Sequence, residues 1–186
     1  MKNFWFGALT VVVVFLTIGY LGIVTGRLIP ANADAKPGKF ERWAAGRSLH
    51  ATIAREAPTS PPPLASDDAT LNAGIKVYGG NCIVCHGAAD GQPSTIGFGL
   101  YQKAPLLGHH GVEDDPEGET YWKVKHGIRL TGMPAFGPTL SDTEIWQVSV
   151  FLKHMDSLPS GPKAKWKALK NPANLVPADK LPPQRG

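Results

Sequence analysis

The chain contains only two cysteines, Cys82 and Cys85, and His86 follows the second directly. Thiols three residues apart close too small a loop to staple a fold, so they cannot form a structural disulfide framework. The folded state has to come from apolar burial, and the cysteines are left to do local chemistry. At 186 residues the chain has room for one ordinary domain with appendages. Its 21 glycines and 17 prolines point to much loop and extended chain around that domain.

Three chemistries use paired cysteines at this spacing. A thioredoxin-type redox pair needs a βαβ setting, and no such pattern surrounds residues 82–85. A tetrahedral zinc site needs a second Cys/His pair at regular spacing, which is also missing. The full run Cys82-Ile83-Val84-Cys85-His86 fits the third, covalent attachment of a c-type haem. Thiols at i and i+3 lie on one side of a turn and can meet two vinyl groups of one porphyrin edge. The adjacent imidazole then points at the iron.

A second constraint sits at the N-terminus. No charge occurs between Lys2 and Arg27, and these 24 residues would span about 36 Å as a helix, enough for a hydrocarbon core of roughly 30 Å. Trp5 and Tyr20 suit interfacial positions. A cleaved signal peptide is the competing reading, because Ala31-Asn32-Ala33 and Ala33-Asp34-Ala35 offer small-residue sites. The apolar run is longer than the 7–15 residues or so of a signal core, so an uncleaved anchor over residues 1–29, touching the membrane through 4–26, is expected.

Net charge is +4, distributed unevenly: +4 over residues 1–65, −5 over 66–158 and +5 over 159–186. Neither basic end is interleaved with aromatic residues, so a nucleic-acid surface is not expected.

Past the anchor, Phe40 to Ala57 reads as a mixed juxtamembrane helix for the bilayer or a partner subunit, and Ala57 to Pro63 as a stiff proline-rich spacer. Together, residues 30–65 make a linker. The compact domain is expected over 66–158. Asp67 or Asp68 caps a helix carrying Leu71, Gly74, Ile75 and Tyr78, and that helix leads into the cysteines. A glycine- and proline-rich stretch follows from Gly87 to Gly111. Asp115-Pro116 reads as a cap with proline at the first helical position, opening a helix with Tyr121, Trp122 and Val124 that stops at Gly127. Ser141 and Glu144 form a capping box for a last helix with Ile145, Trp146, Val148 and Phe151. No run alternates as a strand, so the domain reads as all-α with long loops. The tail over 159–186, with six cations and repeated prolines, is expected to be extended, with little regular structure.

Of three methionines, Met133 stands in the turn Gly132-Met133-Pro134 and is the candidate second iron ligand; Met155 has helical core spacing. His109, His110, His126 and His154 are alternative distal ligands, and the adjacent pair His109-His110 could also meet a metal. Solvated loop histidines are the plainer reading, as for His50. Glu113 to Glu117 lacks the alternating ligand pattern of a calcium loop.

These features together resemble a class I monohaem cytochrome c over about residues 66–158. The likeness rests on Gly74 and Tyr78 in the first helix, the attachment motif, the Gly-Met-Pro turn 47 residues after His86, and the aromatic last helix. The resemblance implies helices packed around one covalent haem c, with Gly74 letting the first helix approach the last near Trp146 and Phe151. It implies that Cys82, Cys85, His86 and Met133 hold the haem and that the Pro105 carbonyl accepts from His86. It also places Trp122 and Arg129 beside the propionates. The implied role is single-electron transfer and not catalysis, as a carrier or subunit of a respiratory or photosynthetic membrane complex with redox proteins as partners. A labile Met133 would instead suit a haem enzyme or gas sensor, and an assembly role for 1–57 and the tail is compatible with electron transfer. Covalent haem attachment belongs to the outer side of a bacterial inner membrane, so the resemblance implies a single pass with the haem domain in the periplasm.

Overall fold

The computed structural model describes residues 2–28, 31–108, 111–171 and 176. They belong to two units, Met1–Ala35 and Lys36–Gly186. Among the described residues every regular element is a helix and none is a strand. His109 and His110, and most of the tail past Asn171, lie outside the described residues.

The first unit is helix α1 (Lys2–Val24). Its side chains from Phe4 to Val24 find no protein partner to bury them among the described residues. Thr10, Thr17 and Thr25 donate their hydroxyls to the carbonyls of Phe6, Val13 and Leu21 at 2.7–2.8 Å, which hides the polar groups an apolar surrounding would penalise. Gly26, with φ +69°, takes the left-handed turn that ends the helix. By length and composition α1 fits a membrane anchor.

In the second unit, α2 (Lys39–Glu56), α3 (Asp68–Asn81), α4 (Ile83–His86), α5 (Thr95–Gly99), α6 (Glu117–His126), α7 (Asp142–Lys153) and α8 (Ser160–Ala168) follow in order. The α3–α7 crossing organises the core. A Cβ on Gly74 would sit 2.2 Å from the Gln147 carbonyl oxygen and 2.6 Å from Phe151 Cβ, so only glycine allows this approach. Leu71, Ile75, Tyr78, Ile145, Val148 and Phe151 close the interface. Helix α6 packs beside α7, with Tyr121 stacked on Trp146 at 4.2 Å between ring centroids.

The caps divide. Asp67 is the residue that caps α3, accepting from Thr70 N–H at 2.8 Å. Ser141 and Glu144 form the expected box, with Ser141 N–H donating to Glu144 Oε2 at 2.9 Å. At α6 the expectation is corrected. Pro116 itself holds the cap position without a side-chain bond, and the Asp115 carboxylate instead pairs with Lys123 Nζ at 2.6 Å.

Two segments read as appendages touch the helical unit. Helix α2 packs on α6 through its C-terminal half, where Ile53 is buried, and Tyr101 OH donates to Glu41 at 2.7 Å. Gly118 lies against the Pro58 carbonyl with no room for a Cβ, so the proline-rich stretch runs along α6 and is no free spacer. The expectation of little regular structure after Leu158 is likewise corrected over Ser160–Ala168. Here α8 lays Pro162 and Trp166 onto α3.

Candidate cofactor site

Cys82 ends α3 by donating its N–H to the Tyr78 carbonyl at 2.8 Å, and it opens α4 by accepting from His86 N–H at 2.9 Å. Both thiols therefore ride on one tight helical turn fed straight from the core helix. Burial, with Cys85 nearby, pushes the Cys82 thiol up to about 12, and burial also raises Cys85. Both stay protonated at neutral pH, the reverse of the depressed thiol that a redox pair employs.

Helix α5 buttresses this turn. Ser94 is buried, donates to the Val84 carbonyl at 2.6 Å and accepts from Gly97 N–H at 3.0 Å. Gly97 presses so closely on the Cys85 carbonyl that a Cβ would stand 2.1 Å from it.

His86 Nδ1 lies 2.8 Å from the Pro105 carbonyl oxygen. A carbonyl can only accept, so Nδ1 carries the proton and the Nε2 lone pair is left free. Burial lowers the histidine's pKa, opposed by that hydrogen bond, and favours the neutral imidazole a metal ion requires.

Met133 sits in a loop folded back on the end of α6. Gly127 (φ +66°) turns the chain with no room for a Cβ beside Met133 O and Pro134 C. Phe136 N–H and Gly137 N–H donate to the Val124 and Lys125 carbonyls at 3.1 and 3.0 Å, and Ile128 N–H donates to Met133 O at 3.2 Å. Thr131 Oγ1 accepts from Met133 N–H at 3.1 Å. Met133 is half-buried, and like Cys82 it packs against the main core cluster.

Trp122 is buried under the His126 ring at 5.1 Å, and its Nε1–H has no hydrogen-bond partner among the described residues. Glu56 lies near enough to feel it. Arg55 first, and the indole and His126 more weakly, hold that carboxyl below its usual range against the cost of desolvation. The indole N–H thus faces a carboxylate of the chain itself without meeting it at hydrogen-bond geometry, and remains open to a stronger acceptor. Arg129 is exposed.

Residues 69–152 match the family model described as cytochrome c oxidase, cbb3-type, subunit III, less than half of the chain. This segment resembles a monohaem c-type cytochrome. No curated protein and no solved structure matches the chain. A cytochrome c segment implies haem c and electron transfer, and the residues present fit that group: a free Nε2, protonated thiols on one turn, and an orphaned indole N–H. The boundaries of the match leave α1, α2 and α8 outside the matched segment.

One of the other candidates, His126, stands against the Trp122 ring. His126 and His50 are exposed on α6 and α2, and His154 closes α7. No group of three or more His, Cys, Asp or Glu among the described residues could hold a metal ion. Lys153 Nζ donates to the carbonyls of Glu113 and Asp115, and Lys123 pairs with the Asp115 carboxylate, so three oxygens of this acidic stretch already have cationic partners. Sequence reasoning missed α5 and the contact of α8. Ser94 three residues before Gly97, and the i, i+4 pair Pro162 and Trp166, were the available signals.

Proposed function

We propose that the chain binds one haem c through thioether bonds to Cys82 and Cys85, with His86 and Met133 as the residues that would hold its iron. It then passes single electrons as a membrane-held component of an oxidase complex, with other oxidase subunits and redox proteins as partners. When bound, the haem supplies Fe(II)/Fe(III) cycling. The chain supplies the rest: the Pro105 carbonyl fixes the His86 tautomer and ring plane, and the loop 127–137 presents the Met133 thioether. Trp122 Nε1 and Arg129 balance the propionate charge. The His86–Pro105 hydrogen bond is the single observation that carries this reading, because it frees Nε2 beside the two thiols. With His86 and Met133 both holding the iron, no position there would be left for a substrate, so the chain would act as an electron-transfer protein and not an enzyme. Helix α1 anchors it in a bacterial inner membrane, and the helical unit lies on the periplasmic side.

The test is a visible spectrum of the purified protein, oxidised and reduced, with and without carbon monoxide. A low-spin c-type spectrum with a sulfur-to-iron band, unmoved by carbon monoxide, is expected. A high-spin or carbon-monoxide-sensitive spectrum would remove Met133 from the iron and, with it, the pure electron-transfer reading.

A further inference from the structure

The match to the cytochrome family stops at residue 152, yet the chain beyond it is built into the same helical unit. Trp166 on α8 stands edge-on to Tyr78 and Phe151, with ring centroids 5.1 and 5.4 Å apart. Three residues past α8, Asn171 reaches the loop that comes after His86. Its Oδ1 accepts from Ala88 N–H at 2.9 Å, and its Nδ2 donates to Asp90 Oδ2 at 2.5 Å. The fork has one consistent orientation, since an amide N–H needs an acceptor and a carboxylate needs a donor. The second bond is charge-assisted and belongs to the stronger class. Asp90 Oδ1 also accepts from Gln92 N–H at 3.1 Å, and Val176 N–H donates to the Pro93 carbonyl at 3.1 Å.

The opposite side of the loop is equally confined. Tyr78 OH donates to the Gly87 carbonyl at 2.7 Å. Gly108 lies so close to the Ala88 carbonyl oxygen that a Cβ would be 2.2 Å away. Loop 87–93 is therefore wedged between the tail and the stretch 105–108, whose first residue, Pro105, accepts from His86.

We propose that Asn171 is a positioning residue for His86: by clamping Ala88 and Asp90 it presses the loop against Gly108 and holds the Pro105 carbonyl on His86 Nδ1. This rests on the reading of His86 as an iron ligand. It gives the tail a defined task, keeping the ligand ring in one plane from outside the cytochrome c segment.

The experiment is hydrogen exchange by nuclear magnetic resonance on the full chain, carrying its haem, in detergent micelles. Exchange is followed at Ala88 N–H, at His86 Nδ1–H and, as a control, at Val148 N–H in the α3–α7 core. In Asn171→Ala the first two should exchange about fivefold faster, the equivalent of one net hydrogen bond, with the control unchanged. The double variant Asp90→Asn with Asn171→Asp rebuilds the same donors and acceptors with the charge moved across, and it should restore both rates. Faster exchange at Ala88 alone would reduce Asn171 to a local tether and overturn the proposal. So would unchanged rates in Asn171→Ala, or a swap that restores nothing. A wild-type preparation lacking a c-type spectrum is a separate failure, that of the haem reading itself.

Discussion

A buried indole N–H with no acceptor leaves a desolvation cost of about 1–3 kcal/mol uncompensated. Trp122 bears part of that cost, since the Glu56 carboxyl feels its indole without meeting it at hydrogen-bond geometry, and under the proposed haem reading a propionate oxygen would relieve the rest. Replacing Trp122 with Phe keeps an aromatic ring and removes only the donor. Under the proposed haem reading, a propionate there would be less balanced and would favour Fe(III), so the midpoint potential of the haem protein should fall in a redox titration. An unchanged potential would take Trp122 out of the site. A local pattern is legible in sequence, as in Cys82, Cys85 and His86 within five consecutive residues. The Pro105 carbonyl is different: its value lies in a 2.8 Å approach across 19 residues, which only folding creates.

Among the helices, the α3–α7 crossing depends on Gly74. Its would-be Cβ meets a backbone oxygen, which cannot swing aside, so the helices themselves must separate. Gly74→Ala should destabilise the unit by about 1–3 kcal/mol, read from urea unfolding. Acid acts on the next contacts. Lys125 first, then Tyr121, hold the Asp142 carboxyl below its ordinary 3.8, and Ser141 holds Glu144 below 4.5. Groups with depressed folded values contribute stability above the ordinary value and lose it as pH falls through the lower one. The melting temperature should therefore decline as pH drops from about 5 towards 2. Lys125→Met should flatten that decline, since Asp142 then titrates nearer its unfolded value. The capped starts of α3 and α7 were readable, because a cap is a matter of three or four consecutive residues. Helix α6 was misread at its first turn, because Asp115 finds a stronger partner in Lys123, two turns along the chain.

Across the whole chain, the core draws on residues beyond the matched segment 69–152. Trp166 is 6 % exposed and lies against Tyr78 and Phe151, the centre of the core. Trp166→Ala should cost about 3–5 kcal/mol in thermal or urea unfolding, as a large core truncation does. A loss below 1 kcal/mol or so would make α8 an ornament on the domain. The tail's cations and prolines suggested an extended strand of chain, and composition concealed the one tryptophan that decides its fate.

The sequence by itself determined the chemistry and the helical class: thiols and imidazole within five residues, an uncharged run long enough for a bilayer, apolar positions at helical spacing. These are short-range patterns, fixed by bond geometry and helix periodicity. The tertiary structure decided which appendages are integral, through Pro58 against Gly118, Trp166 on α3, and Asn171 on the loop after His86. Such contacts join residues far apart in the chain, and no local propensity encodes the distance at which they meet.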